Sequence, residues 1–257
     1  MKIKLLTALT VLLAILGVYC GWRYYQDAWL PNRLVNDALA AQNELISQLR
    51  PEILRSDSEV EPLTGDESEE KVDHLAELKA FNPDTVGWLT IPDTTVDYPI
   101  VQAGDNQFYL KTGYDRQYSY VGCPFLDSRC AEGFEGFNAI VYAHHIKHEM
   151  FGDIAKFSDI DYMRERPSGT LLTEDGQHNV QFFAYLTVPS TSKVYDTGIV
   201  NKTDRDGYID SLFDLASYTV GQTAESLKRR DDLRLLLLST CTYEFENARG
   251  VLVGVIQ

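Results

Sequence analysis

The stretch that decides the fold reads Leu235-Leu236-Leu237-Leu238-Ser239-Thr240-Cys241 and lies sixteen residues from the C-terminus. It is an apolar strand that ends in a thiol. About a hundred residues upstream, a second apolar strand ends in imidazoles and reads Ile140-Val141-Tyr142-Ala143-His144-His145. Arg249 follows the thiol by eight residues. A thiol, an imidazole and a fixed cation can form and hold a nucleophilic thiolate, which indicates acyl transfer through a thioester.

Short apolar segments with turn signals between them, including these two, fill the chain from residue 86 onward. They lie at 86–91, 95–101, 139–143, 170–172, 180–188, 233–240 and 251–256. Seven or eight strands in about 170 residues predict a mainly β fold, a closed or nearly closed barrel of about eight strands. A long connection at 195–232 carries helical patterns at 208–217 and 223–229, and insertions of this size are commonly functional.

The segments before the barrel predict helices and a linker. Helical spacing at 34–54 and at 72–81 indicates two helices, and the second stops at Asn82-Pro83. Between them, residues 56–70 are acidic and carry Ser, Gly and Pro, as in a mobile linker.

Composition excludes some functional classes. The 257 residues can hold one sizeable domain plus accessory segments, and 44% of them are apolar. The 38 acidic against 23 basic residues give a net charge of −15, which argues against a nucleic-acid partner. Four cysteines are too few for a disulfide scaffold, and a bond between Cys123 and Cys130 stays open at this stage.

The N-terminus predicts an uncleaved signal anchor. Residues 5–22 contain no charge, and eighteen residues span roughly 27 Å as a helix. Lys2 and Lys4 precede this run, and aromatic residues suited to a membrane interface end it. We therefore expect a cell-membrane protein with a cytoplasmic N-terminus at 1–4, a transmembrane segment at 5–22, a helix and acidic linker at 23–71 and an extracellular catalytic domain at 72–257.

Several segments, taken together and in their order along the chain, carry a resemblance to a known family. No single one of them would establish it. They are 82–92, 96–102, 105–110, 125–127, 150–153 and the Ser239-Thr240-Cys241 run with Arg249. Over residues 72–256 the chain resembles the class B sortases, membrane-anchored cysteine transpeptidases of Gram-positive bacteria. The resemblance implies a sortase-type closed β-barrel with N-terminal helices and a helix-containing insertion before the cysteine strand. Ala143, often Gly in the family, and the two cysteines at 123 and 130 depart from its pattern.

Candidate catalytic residues follow from the residues and the resemblance together. Cys241, at a strand end before a polar loop, is the candidate nucleophile. A hairpin brings Arg249 back beside it, where a guanidinium can hold a carbonyl and stabilise an oxyanion. Strand alternation allows only one of His144 and His145 to face the thiol without saying which, and the resemblance places the acid–base role on His144. Ser239, Thr240 and Tyr243 are candidate substrate-binding residues beside the nucleophile.

The resemblance also implies the reaction and its partners. The thiolate cleaves a C-terminal sorting signal after Thr on a surface protein, and an amine of a peptidoglycan precursor, or alternatively a pilin lysine, resolves the thioester. No cofactor or metal is implied. A metal pair at His144 and His148 would need a helix, but this run begins as a strand.

Three further alternatives compete with this interpretation. Papain-like enzymes place cysteine before histidine in the chain, and the order here is the reverse. L,D-transpeptidases have Gly directly before the cysteine, where this chain has Thr240. An inactive, membrane-anchored binding module is the non-enzymatic alternative, and a missing Cys, His or Arg would have supported it.

Overall fold

The computed structural model describes the backbone of residues 2–54 and 75–257, with side chains at 12–52, 54 and 75–257. Contacts divide the chain into two compact units, Met1–Leu45 and Ile46–Gln257. The acidic linker predicted at 56–70 lies outside the described residues, as do the first residues of the helix predicted at 72–81. The boundaries predicted for the domains stay a prediction, apart from the membrane segment.

Helices form the N-terminal part of the chain. α1 spans Lys2–Tyr24, a π-helical stretch spans Tyr25–Trp29, and α2 spans Leu30–Leu49 and so continues into the second unit. α2 ends before the predicted limit at residue 54 because Pro51 follows, and a proline disfavours helical conformation in the residue before it.

The segment predicted as the membrane anchor, residues 5–22, lies within α1. Among the described residues, no helix is both long enough and apolar enough to cross a membrane. This finding contradicts the predicted single-pass anchor at 5–22 and, with it, the predicted cell-membrane location.

The second unit holds four helices and eleven strands within the described residues. The helices are α3 Ala76–Phe81, α4 Ile160–Glu165, α5 Lys202–Leu215 and α6 Ala224–Lys228. The strands are β1 Thr85–Thr90, β2 Asp97–Val101, β3 Phe125–Leu126, β4 Asn138–Tyr142, β5 His145–Ile146, β6 Glu149–Met150, β7 Ser168–Thr173, β8 Gly176–Pro189, β9 Ala216–Thr219, β10 Arg234–Cys241 and β11 Ala248–Ile256.

Eight of these strands close into a barrel. They follow one another in the order β11-β10-β4-β3-β2-β1-β7-β8, and a further pairing of β11 with β8 joins the two ends. β10 is parallel to β4 and β3 is parallel to β2, whereas the other neighbours are antiparallel. The predicted closed β-barrel of about eight strands with helices is confirmed.

Three elements differ from the prediction: two short strands and the start of one helix. β3 has only two residues, too few to show an alternating pattern, and the sequence did not indicate it. α5 begins at Lys202, six residues before the predicted start at 208, because the Asn201 side chain caps it by accepting from Asp204 N. The insertion also contains β9, which pairs with β8 at 184–186, beyond the residue of β8 that pairs with the start of β7.

The leucine run of β10 lies at the centre of the apolar core. All four leucines at 235–238 are fully buried, so neither face of this strand meets solvent. Tyr208, Ile209 and Leu212 of α5 belong to the same apolar cluster, and α5 contacts β8 and β9. The insertion helix therefore contributes to the core that fixes the cysteine strand in the sheet.

Candidate active site

The ends of three neighbouring strands bring the candidate catalytic residues to one rim of the barrel. β10 runs parallel to β4 with Ser239 opposite Tyr142, so the residues that follow both strands emerge at the same edge. β10 pairs antiparallel with β11, where Cys241 lies directly opposite Arg249. Opposed residues of an antiparallel pair share one face, with their β-carbons about 5 Å apart. The thiol and the cation therefore face the same side, and His144 follows β4 at that edge.

A cavity of about 640 Å³ opens at this rim. Cys241, His144 and Arg249 all contribute to its wall, so the structure brings the three predicted residues to one space. The segment after β8, including Lys193 and Tyr195, forms another part of the wall. The cavity can hold an extended peptide segment against the exposed thiol of Cys241.

The ring of His144 is held by the backbone. Its Nε2 lies 2.9 Å from the carbonyl oxygen of Leu110, a residue of the turn Phe108–Leu110 that also lines the cavity. β4 ends at Tyr142, so His144 belongs to the connection after the strand and not to the strand itself. This contact with a second segment decides where the imidazole points.

His145 occupies a different place from His144. It begins β5, and its ring packs edge-to-face on Tyr243 at 5.5 Å between centroids. Neither residue is part of the cavity wall, and Tyr243 is 82% exposed. The structure thus separates the two adjacent histidines and places Tyr243, a predicted substrate-binding residue, on the outer surface.

Ser239 and Thr240 lie in the cavity wall, but their hydroxyls are already engaged. The Ser239 hydroxyl lies 2.9 Å from the Tyr195 hydroxyl, and the Thr240 hydroxyl donates to the Ala143 carbonyl at 2.9 Å. Both residues are buried. Their contacts join β10 to the segment after β8 and to the segment that carries His144, so both residues shape the wall.

Arg249 has one donor engaged beside the strand. Its Nη1 donates to the carbonyl of Ala248 at 2.9 Å. A guanidinium carries five N–H donors, so the remaining ones can reach a carbonyl oxygen in the cavity. The arrangement can stabilise negative charge near Cys241.

A buried carboxylate supports the floor of the cavity, and the sequence did not indicate this role. Asp127 is fully buried and accepts from Arg129 through Nε at 2.9 Å and Nη2 at 2.6 Å. The Tyr142 hydroxyl donates to it at 3.0 Å. Burial alone would raise the pKa of Asp127, but the hydrogen bonds from the side chain and backbone of Arg129 lower the pKa to about 2. The only sequence signal was its place in the 125–127 segment of the resemblance.

The cysteines divide into buried and exposed thiols. Cys123 and Cys130 are both free and buried, so the disulfide left open by their spacing is not formed in this structure. Burial raises the pKa of Cys130 to about 11 and also raises the pKa of Cys123, which disfavours a thiolate at either position. Cys241 is exposed at the cavity, where a thiolate can meet a substrate.

Metal ligation was the alternative for the histidine pair. Across residues 2–54 and 75–257, no group of three or more His, Cys, Asp or Glu side chains could hold a metal ion. His148 lies on a turn with a positive φ of 61°, and its Nδ1 is 3.7 Å from Asp153. The structure therefore directs His148 toward Asp153.

Comparison with known proteins identifies the family. No family model matches the sequence. Sortase B of Listeria monocytogenes is 30% identical over 261 residues, which cover 99% of this chain and 98% of that protein. The chain belongs to the class B sortases. This family consists of cysteine transpeptidases, so the protein is a sortase transpeptidase.

Solved structures show the same fold. The Staphylococcus aureus sortase B–substrate complex is similar with a TM-score of 0.69 and 21% identity, over 85% of this chain and 95% of that one. A Streptococcus pyogenes class B sortase involved in pilus biogenesis is similar with a TM-score of 0.63 and 24% identity, over 71% and 97%. At these identities the likeness concerns the fold alone, and it agrees with the sortase barrel.

The buried carboxylate leads to a prediction on stability. Because the pKa of Asp127 is about 2 in the folded protein and near 4 when unfolded, its stabilisation is present above pH 4 and is lost as pH falls toward 2. We expect Asp127→Asn to flatten the pH dependence of the unfolding free energy between pH 4 and 2. Near neutral pH the variant should lose about 1–3 kcal/mol, because Arg129 loses its buried partner.

Urea unfolding at a series of pH values from 2 to 7 measures both effects. The matched control is Asp231→Asn, which changes an exposed aspartate. An Asp127→Asn variant with the same pH slope as the parent protein would contradict the assignment.

Proposed function

We propose that this class B sortase cleaves a C-terminal sorting signal after a threonine, holds the released protein as a thioester on Cys241 and transfers it to an amine of a cell-wall precursor. The observation that carries the proposal is the strand register. It sets Arg249 opposite Cys241 at a cavity that His144 also lines. A nucleophile, a proton-transfer group and a fixed cation that can stabilise an oxyanion together suit acyl transfer.

The first half-reaction forms the thioester. The Cys241 thiolate attacks the threonine carbonyl, and the carbonyl oxygen takes up the negative charge. Arg249 donates to that oxygen from the neighbouring strand, and its charge is kept because a guanidinium does not deprotonate at working pH. His144 gives a proton to the departing amine as the C–N bond breaks.

The second half-reaction releases the product. An incoming amine enters the cavity and attacks the thioester carbonyl, while His144 takes its proton. The C–S bond breaks, and Cys241 leaves as a thiolate ready for another cycle. Ser239 and Thr240 form part of the cavity wall along which the sorting signal of the substrate lies.

The acceptor defines a second candidate function. A pilin lysine presents the same primary amine chemistry, and one structural neighbour is a sortase involved in pilus biogenesis. The cysteine, histidine and arginine arrangement would serve either amine.

The first prediction from the proposed reaction concerns the thioester. We incubate the protein with a pool of synthetic peptides that carry a fixed threonine, without an amine acceptor, and analyse it by intact and peptide mass spectrometry. We expect one acyl adduct on Cys241, because this thiol is exposed at the cavity whereas Cys123 and Cys130 are buried. Cys241→Ala should form no adduct and no product.

Addition of lysine-based or peptidoglycan-based amines then identifies the acceptor class, since each product has its own mass. Cys130→Ala is the control for a thiol outside the cavity wall. An adduct that persists in Cys241→Ala, or a parent protein that binds peptide without any adduct, would refute the proposed reaction.

The second prediction separates the adjacent histidines. His144→Ala should reduce turnover by roughly 10²- to 10⁴-fold, the usual loss when a general acid–base is removed. His145→Ala should keep a measurable fraction of activity, because His145 packs on Tyr243 outside the cavity wall. Steady-state transpeptidation compares the two, after circular dichroism has shown that both variants fold. A greater loss in His145→Ala would reverse the assignment.

The third prediction concerns Arg249. Lysine keeps the positive charge but loses the planar set of donors that can grip a carbonyl oxygen. We expect Arg249→Lys to lose about 10²- to 10³-fold in turnover, as when one oxyanion donor is removed. Alkylation of Cys241 should still proceed, because the nucleophile is unchanged.

The matched control for this variant is Arg234→Lys, at the opposite end of β10. It should leave turnover close to that of the parent protein. Near-normal turnover in Arg249→Lys would remove the oxyanion role from Arg249.

A further inference from the structure

The contact between His144 and Leu110 determines which ring nitrogen carries hydrogen. A carbonyl oxygen only accepts hydrogen bonds, so His144 Nε2 must donate to Leu110 O across the 2.9 Å that separates them. In the neutral ring the lone pair then lies on Nδ1. Any proton that His144 exchanges with a substrate must therefore pass through Nδ1 while this contact lasts.

Gly122 packs directly against the carbonyl that holds the ring. Its φ is +61°, a left-handed conformation that side chains with a β-carbon rarely adopt. A β-carbon at this position would lie 2.8 Å from Leu110 O and would also overlap the Tyr109 carbonyl oxygen. Both obstacles are backbone atoms, so no flexible side chain can move aside. Glycine is therefore required here by conformation and by space.

The segment of Tyr109 and Leu110 and the segment around Gly122 are each held in place, so they cannot easily separate. On one side, the Tyr109 side chain is buried and its hydroxyl donates to Asp84 at 2.6 Å. On the other side, Val121 and Cys123 are buried, and the Cys123 amide donates to the Tyr109 carbonyl at 3.0 Å. An added β-carbon would therefore displace the Tyr109 and Leu110 peptide groups themselves.

We propose that Gly122 is a positioning residue for catalysis: by seating the Leu110 carbonyl, it fixes His144 in the tautomer that exchanges protons through Nδ1. The inference rests on the proposed role of His144. In thioester formation the Nδ1 proton moves to the departing amine nitrogen, which takes the electron pair of the broken C–N bond. In the transfer step the Nδ1 lone pair takes a proton from the incoming amine, while the C–S electrons return to Cys241.

Nitrogen NMR tests the tautomer without reference to activity. In the ¹⁵N-labelled parent protein, long-range proton–nitrogen spectra distinguish the two neutral tautomers, and comparison with His144→Ala assigns the signals. At a pH at which the ring is neutral, we expect His144 to carry hydrogen on Nε2. Hydrogen on Nδ1 in the neutral ring would overturn the proposal, whatever the activity of the protein.

Three glycine variants test the positioning role. Gly122→Ala adds both the β-carbon and the unfavourable φ, whereas Gly122→Asn adds the β-carbon in a residue that tolerates left-handed conformation. Gly133→Ala is the control, because Gly133 has a φ of +68° and a β-carbon added there would meet no neighbour within 4 Å. Gly133 thus reproduces the backbone penalty without the obstacle at Leu110.

We expect both Gly122 variants to show mixed His144 tautomers and a fall in kcat on the order of 10²-fold, the effect of displacing a catalytic group by about 1 Å. Gly133→Ala should retain a single tautomer and near-parental kcat, and alkylation of Cys241 should continue in all three. Gly122 variants with a single Nε2–H tautomer, or with kcat equal to that of Gly133→Ala, would overturn the proposal.

Two outcomes keep this inference separate from the proposed reaction. If Gly122→Ala does not fold, Gly122→Asn and the tautomer of the parent protein decide the question. If the parent protein shows the Nε2–H tautomer but forms no thioester, the proposed function fails while the Leu110 contact stands.

Discussion

The parallel pairing of β10 with β4 is the constraint on which the rest of the site depends. Parallel strands end at the same edge, so the thiol of Cys241 and the segment that carries His144 emerge together. The antiparallel return of β11 then sets Arg249 opposite the thiol. A slip of one residue in either register would turn these side chains to the other face of the sheet. The buried Ser239 and Thr240 at the end of β10 oppose such a slip, because it would break their hydrogen bonds to Tyr195 and Ala143.

A second constraint comes from the segment after β8, which closes one side of the cavity. Backbone carbonyls at 194–196 accept hydrogen bonds from three separate parts of the fold: Tyr208 of α5, Arg129 beside β3 and Asn138 of β4. The insertion helix and the barrel thus hold the same short stretch. Arg129 is itself fixed by the buried carboxylate of Asp127, so this ion pair connects the barrel to the cavity wall. A movement of this part of the wall would require breaking contacts with both the insertion helix and the barrel.

Sequence patterns predicted the features that depend on long apolar segments and local turns. The strand at 138–142 lies within one residue of the predicted segment at 139–143, and Cys241 and Arg249 could be paired because a hairpin is local. The sequence patterns did not predict the two-residue strand β3, because so short a strand has no periodicity and depends on its neighbours β2 and β4. Strand alternation could not separate the two histidines, because β4 ends before them. What distinguishes them is a contact with the turn Phe108–Leu110, more than thirty residues away.

These contacts leave the cavity with few uncommitted polar groups near the thiol. Ser239 and Thr240 direct their hydroxyls to protein partners, and the Nε2 of His144 is bound to a backbone carbonyl. The groups that keep capacity for a substrate are the thiol, the second ring nitrogen and the remaining donors of Arg249. Acyl transfer places its changes of charge at the sulfur, the amine nitrogen and the carbonyl oxygen. The thiol, the second ring nitrogen and the remaining donors of Arg249 would each meet one of the atoms whose charge changes in the proposed reaction, which is the condition for electrostatic preorganisation.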